Sequence, residues 1–282
     1  MAFSQLIAVL TVILLIPTGA FGDSSRNRAL ASGWRAYQAG DLANAITAYQ
    51  EAANITPDDA LLWYDLGCLY ALHRDVSLAR SALQRALLLN PRLAAAHDAL
   101  GQLSEQEGDA ASAHAFYVSA DAIEPGNAKF LRHLSRALLQ LNDPEAARHS
   151  LQQLLNMEPS DVEARYALGV LELRANAPDL AIHEFQGVIE RAPDHVLAWN
   201  GLALAYARIN EFAKASEALD HARGLQPKSA RTQTNAGVVF AYQAHWADAR
   251  RAWEQALELE PEFAPAAQNL NALDGLATPS SP

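Results

Sequence analysis

Cysteine is almost missing from this chain. The one present, Cys68, leaves no partner for an intramolecular disulfide, a thiolate zinc site or a CxxC redox pair. Positive charge is scarce as well: 21 Lys and Arg stand against 32 Asp and Glu, a formal charge of −11 with histidine neutral. A nucleic-acid binder needs a cationic surface to displace counterions from phosphate, so that class is excluded. No GxGxxG, GxxxxGK(S/T) or GxSxG string occurs. The nine histidines are scattered without HExxH spacing, and His183-Glu184 lacks the second histidine of a zinc peptidase. Nineteen residues follow Phe263, too few for an appended catalytic domain. Catalytic residues, cofactors and metal ligands are therefore not expected, and an enzyme is not expected. Half the residues are hydrophobic, so the chain folds. About a fifth are alanine, which favours closely packed helices.

The one long apolar run lies at the start. Met1 to Gly22 carries no charged side chain, and Leu6 to Ile16 is almost wholly apolar before Pro17-Thr18-Gly19 breaks it. Ala20-Phe21-Gly22 then offers small residues around a cut before Asp23, the layout of a secretory signal over 1–22. The run is shorter than the roughly 20 apolar residues of a spanning helix. Export to a periplasm or the exterior is the expectation, with an uncleaved membrane anchor as the alternative. Asn54-Ile55-Thr56 is a glycosylation sequon followed directly by Pro57.

What fills the rest is a ruler. Prolines stand at Pro57, Pro91, Pro125, Pro159, Pro193, Pro227 and Pro261, each 34 residues after the last. Alanines keep the same step at Ala45, Ala79, Ala113, Ala147, Ala181, Ala215 and Ala249. With Arg26 as position 1, apolar or small residues fall at positions 4, 7, 8 and 11, as in Trp63, Leu66, Gly67 and Tyr70, on one helical face. Position 15 is a breaker: Gly40, Arg74, Gly108, Asn142, Asn176, Asn210 and Ala244, of which the Gly and Asn residues suit a left-handed helix end. Position 16 is acidic in Asp41, Asp75, Asp109, Asp143 and Glu211, suited to starting a second helix. That second helix places Ala at 20 and a large residue at 24, and proline at 32 stops it. One such hairpin cannot bury enough surface to offset its chain entropy, so the hairpins must stack. The fold class is all-α, a solenoid of helical hairpins.

Trp63, Leu66, Gly67, Tyr70, Ala79, Leu83, Ala86 and Pro91 stand at the positions of the tetratricopeptide repeat pattern. So do Trp199, Leu202, Tyr206, Ala215, Leu219, Ala222 and Pro227, and the chain resembles that family from Arg26 to Phe263. Seven repeats are expected at 26–59, 60–93, 94–127, 128–161, 162–195, 196–229 and 230–263, within a domain spanning 23–263. A capping helix over 264–274 and a frayed tail over 275–282 follow. Unit 1 departs with Ala29 and Ser32. Unit 5 departs with Arg165, Glu172 and Arg191 at normally apolar positions, which predicts looser packing. The resemblance implies a right-handed superhelix whose first helices line a concave groove, with positions 2, 5, 9, 12 and 13 holding the ligand.

Along that face unit 1 offers Trp34 and Tyr37, and unit 2 Leu61, Tyr64, Cys68 and Leu72. Unit 3 gives Asp98, Gln102, Glu105 and Gln106; unit 4 gives Lys129, Arg132 and Arg136 on one stripe. Later units add Arg174, Arg208 and Arg231, with Tyr166, Asn200 and Tyr242 between them and Glu163 opposing. The stripe suits an acidic or C-terminal carboxylate partner, because arginine offers paired donors to carboxylates. Alternatively its members are solvated and pair with neighbours such as Glu163. Trp34, Tyr37 and Tyr64 form an aromatic patch that either anchors a peptide side chain or covers the end of the stack. Cys68 reads as a small apolar filler. The carboxylate clamp of chaperone-binding relatives is not reproduced, nor is the asparagine ladder of the glycosyltransferase relatives, since only Asn235 stands at position 6. The expected function is a non-catalytic, exported scaffold gripping a peptide segment of another protein. The alternatives are a self-associating structural repeat protein, or an accessory subunit of a separately encoded envelope enzyme or assembly complex.

Overall fold

The structure is a computed structural model and describes residues 25–277; the expected signal at 1–22 lies outside them. Fifteen α-helices and no strand occur among the described residues. The chain divides inside α8 (Pro144–Met157) into two compact units, one through Ser150 and the other from Leu151.

The first unit pairs α1 (Ser25–Gln38) with α2 (Leu42–Ile55), α3 (Ala60–Leu72) with α4 (Val76–Leu89), and α5 (Ala94–Gln106) with α6 (Ala110–Ile123), then adds α7 (Ala128–Gln140). The second pairs α9 (Val162–Arg174) with α10 (Pro178–Arg191), α11 (Val196–Arg208) with α12 (Phe212–Leu225), and α13 (Ala230–Tyr242) with α14 (Trp246–Leu259). It closes with α15 (Ala264–Ala277), which continues through Gly275. In each unit a hairpin packs on the next, and first helices touch first helices, as α3 on α5 and α11 on α13. The protein is an all-α solenoid of paired helices.

Every breaker ends its helix in the left-handed region, with φ of 77° at Gly40, 80° at Gly108 and 57° at both Asn142 and Asn176. Arg74 (68°) and Ala244 (58°) do so as well, although neither residue type favours it. Of the acidic residues that follow, Asp41, Asp109 and Asp143 cap by accepting from the backbone N–H three residues on. Asp75 instead faces the His73 ring and Glu211 pairs with Lys214.

Close approach inside five of the hairpins comes from glycine opposite a large side chain sixteen residues later, with Ser135 and Ala203 in the other two. A Cβ on Gly33, Gly101, Gly169 or Gly237 would collide with the rings of Tyr49, Tyr117, Phe185 or Trp253. Between hairpins, a position-4 Trp, His or Arg ties its side chain to the preceding proline carbonyl. Trp63 donates to Pro57 O at 2.9 Å and Trp199 to Pro193 O at 2.8 Å. Arg165, expected to loosen its unit, donates to Pro159 O at 3.1 Å and pairs with Glu184 at 2.9 Å, with its stem lying over Gly187. The guanidinium takes over the anchoring of the indole. On α15, Ala266, Leu270 and Leu273 pack with Trp253 and Phe263, and Arg250 of α14 bonds Asp274.

Candidate functional site

The candidate site is the side-chain face built by positions 2, 5, 9, 12 and 13 of the first helices, and the two units present it differently.

In the first unit the acidic stretch of α5 and the basic stripe of α7 neutralise one another. Asp98 is 0 % exposed, yet its carboxylate lies 2.9 Å from Lys129 Nζ and 2.6 Å from His133 Nδ1, and it accepts from Gln102 at 2.8 Å. Burial alone would raise the Asp98 carboxyl. The hydrogen bonds and charges of His133 and Lys129 outweigh it and hold the group below the usual carboxylate range. Arg136 chelates Glu105 through Nε and Nη2, and Glu105 also accepts from Tyr117 Oη at 3.0 Å and Gln140 Nε2 at 3.1 Å. Arg132 is engaged too, and its backbone carbonyl accepts from Ser135. The opposing charges for Lys129 and Arg136 are thus Asp98 and Glu105, one repeat earlier, and not Glu163.

The expected aromatic patch is divided. Trp34 and Tyr37 stack with centroids 5.5 Å apart. Tyr64 is 2 % exposed, so it is core and not a peptide anchor. Burial pushes the neighbouring Cys68 thiol up to about 12, helped by the Asp65 carboxylate, so it stays protonated and inert.

In the second unit Arg174 and Arg231 are exposed and make no hydrogen bond or ion pair among the described residues. Both act electrostatically on the Tyr166 hydroxyl. Burial raises the phenol, Arg231 and Arg174 pull it back, and Glu163 is the one carboxylate felt there. Tyr166 is fixed by rings of His195 and Phe185 at 5.0 and 6.0 Å. Arg208 donates to the Leu173 carbonyl and so is spent on holding α11 to α9. Asn200, expected on the ligand face, is 2 % exposed. Its amide donates to Val196 O and Thr232 Oγ1, and its carbonyl accepts from Asn235 at 2.9 Å. Asn235, itself half-buried, therefore forms a two-member asparagine pair with the buried Asn200. Tyr242 is 47 % exposed and lines a cleft of about 310 Å³ with Trp246 and Leu273 on α13, α14 and α15.

Among the described residues no cluster of His, Cys, Asp and Glu could hold a metal, and no helix is long and apolar enough to cross a membrane. The molecule is a helical-repeat protein built of stacked hairpins. Tetratricopeptide-repeat families match it at residues 33–73, 133–186 and 172–234. The chain is a tetratricopeptide-repeat protein. It is similar to the BBSome complex member BBS4 of Xenopus tropicalis, with 34% identity over 118 residues, 42% of this chain and 23% of that protein. The Bos taurus protein of the same name is 30% identical over 125 residues, 44% of this chain and 24% of its own length. The chain thus spans about a quarter of the length of these curated relatives. Among solved structures it is similar to YrrB, described as a repeat protein with an unusual peptide-binding site. That match has TM-score 0.63 and 24% identity, covering 66% of this chain and 95% of that one. A tetratricopeptide repeat protein from Parabacteroides merdae matches at TM-score 0.60 and 17% identity, over 89% of this chain and 99% of that one. These likenesses show the fold.

Proposed function

We propose that this is an exported scaffold of seven 34-residue repeats whose first-helix face holds an extended segment of a partner protein. The carboxylate of that segment, from a side chain or a C-terminus, is held by Arg174 and Arg231 beside the Tyr166 hydroxyl. One observation carries this reading: among the described residues these two guanidiniums lack ion pairs where Lys129 and Arg136 already have theirs. Forked donors bind a carboxylate in two places at once, and unpaired ones need not first release a partner. The apolar run before Asp23 supports export. The relatives' membership of a complex and the peptide-binding site of YrrB are consistent with a scaffold that grips a segment.

Crosslinking in the native compartment, followed by identification of the captured protein, gives the partner. Its affinity is then compared for wild type, R174Q/R231Q and K129Q/R136Q. The first variant should bind about tenfold more weakly, because two charge-assisted contacts are lost. The second should bind nearly as wild type and melt lower. Equal affinity for wild type and R174Q/R231Q discards the site.

A further inference from the structure

The second unit carries a second groove, on the opposite side of α11 from Asn200. It lies between α10 and α12, has a volume of about 590 Å³, and is floored by Ile189, Trp199, Leu202 and Tyr206. Its walls are held in place. Gln186 donates to Tyr206 Oη at 3.0 Å, the Trp199 indole is tied to Pro193 O, and the His221 ring stacks on Trp199 at 4.3 Å and 16°. Lys214 lies 5.5 Å from the Tyr206 ring centre but is committed to Glu211 at 3.3 Å. The rim carries Glu190 on α10 and Glu217 on α12, both exposed and neither hydrogen-bonded nor ion-paired among the described residues.

The first unit repeats the frame without the carboxylates. Gln50 donates to Tyr70 Oη at 2.5 Å and Trp63 to Pro57 O, as Gln186 and Trp199 do. Asn54, Ser81 and Arg85 stand there in place of Glu190, Glu217 and His221. The Trp and Tyr of the floor are therefore shared by α3 and α11, while the pair of carboxylates is particular to α10 and α12.

We propose that this groove docks a partner segment through an arginine side chain, separately from the carboxylate-binding face. The stem of the arginine lies on Ile189 and Leu202, its planar guanidinium stacks against the aromatic wall, and Glu190 and Glu217 accept its N–H groups. Unpaired carboxylates beside aromatic faces complement a guanidinium in both charge and shape, and a lysine ammonium would match only the charge.

The test uses the full chain labelled with 5-fluorotryptophan and followed by fluorine NMR. The probes are Ac-Gly-Ser-Arg-Leu-Arg-Ser-Gly-amide and its twin with glutamate for both arginines. The arginine peptide should move the Trp199 signal saturably, leave Trp63 in place, and bind E190Q/E217Q about fivefold more weakly. The glutamate peptide should move nothing. R174Q/R231Q should titrate as wild type, which separates this groove from the first. An unmoved Trp199 signal, equal movement of Trp63, or identical titration of E190Q/E217Q overturns the proposal.

Discussion

Asp65 sits half-buried in α3 near a second carboxylate, Asp59. An aspartate in an unfolded chain titrates near 3.9. Burial, and after it the charge of Asp59, push Asp65 up to about 7. Between those values the folded chain keeps a proton that the unfolded chain has released. Stability from this group therefore falls as the pH rises through the window, and levels off above it. Asp98 acts in the opposite sense: its depressed carboxyl contributes stability at neutral pH that is lost on acidification. Replacing Asp65 with asparagine removes the proton linkage and keeps the shape. D65N should exceed wild type by a margin that grows from pH 4 to pH 7 and plateaus at about 1–3 kcal/mol. Urea unfolding across that range measures it, and a margin independent of pH would show that Asp65 titrates normally.

Two helical glycines separate the reasons an element can need one. Gly101 in α5 faces Tyr117 so closely that a Cβ would lie 2.4 Å from the ring, and the ring is wholly buried with its hydroxyl on Glu105. Gly224 in α12 has nothing within 4 Å of where its Cβ would be. G101A should cost about 1–3 kcal/mol by forcing α5 from α6, while G224A should gain about 0.5 kcal/mol by stiffening the unfolded chain. Opposite shifts of the thermal midpoint confirm the pairing; shifts of the same sign refute it. Spacing makes such elements legible, because helix ends, small faces and large faces recur every 34 residues. Even Arg74 and Ala244 follow their position in the repeat against their own backbone preference. The partners of the charged residues are not legible in that way. Asp98 meets His133 thirty-five residues later and Glu105 meets Arg136 thirty-one later. Both pairings depend on how far one first helix slides along the next, which periodicity alone leaves open. Tyr64 misleads for a related reason: position 5 is an outer site only where the next helix leaves it uncovered.

A stack of hairpins has no single centre. Within each unit the extensive contacts join an element to its next neighbour or the one after, and none reaches further. Stability is then a sum of local terms, and a lesion should weaken the elements beside it without reaching distant ones. The second unit offers a clean case, because α15 covers Trp253 and the end of α13 with Leu270 and Leu273 and is clamped by Arg250 on Asp274. Ending the chain at Phe263 uncovers that apolar surface and removes the clamp. Amide exchange in α13 and α14 should quicken by about tenfold or more, while α3 to α5 keep their protection. Hydrogen exchange read by mass spectrometry resolves the two regions in one experiment. If protection in α3 to α5 falls by the same factor, the molecule unfolds as a single cooperative body and the nearest-neighbour account of its stability is wrong.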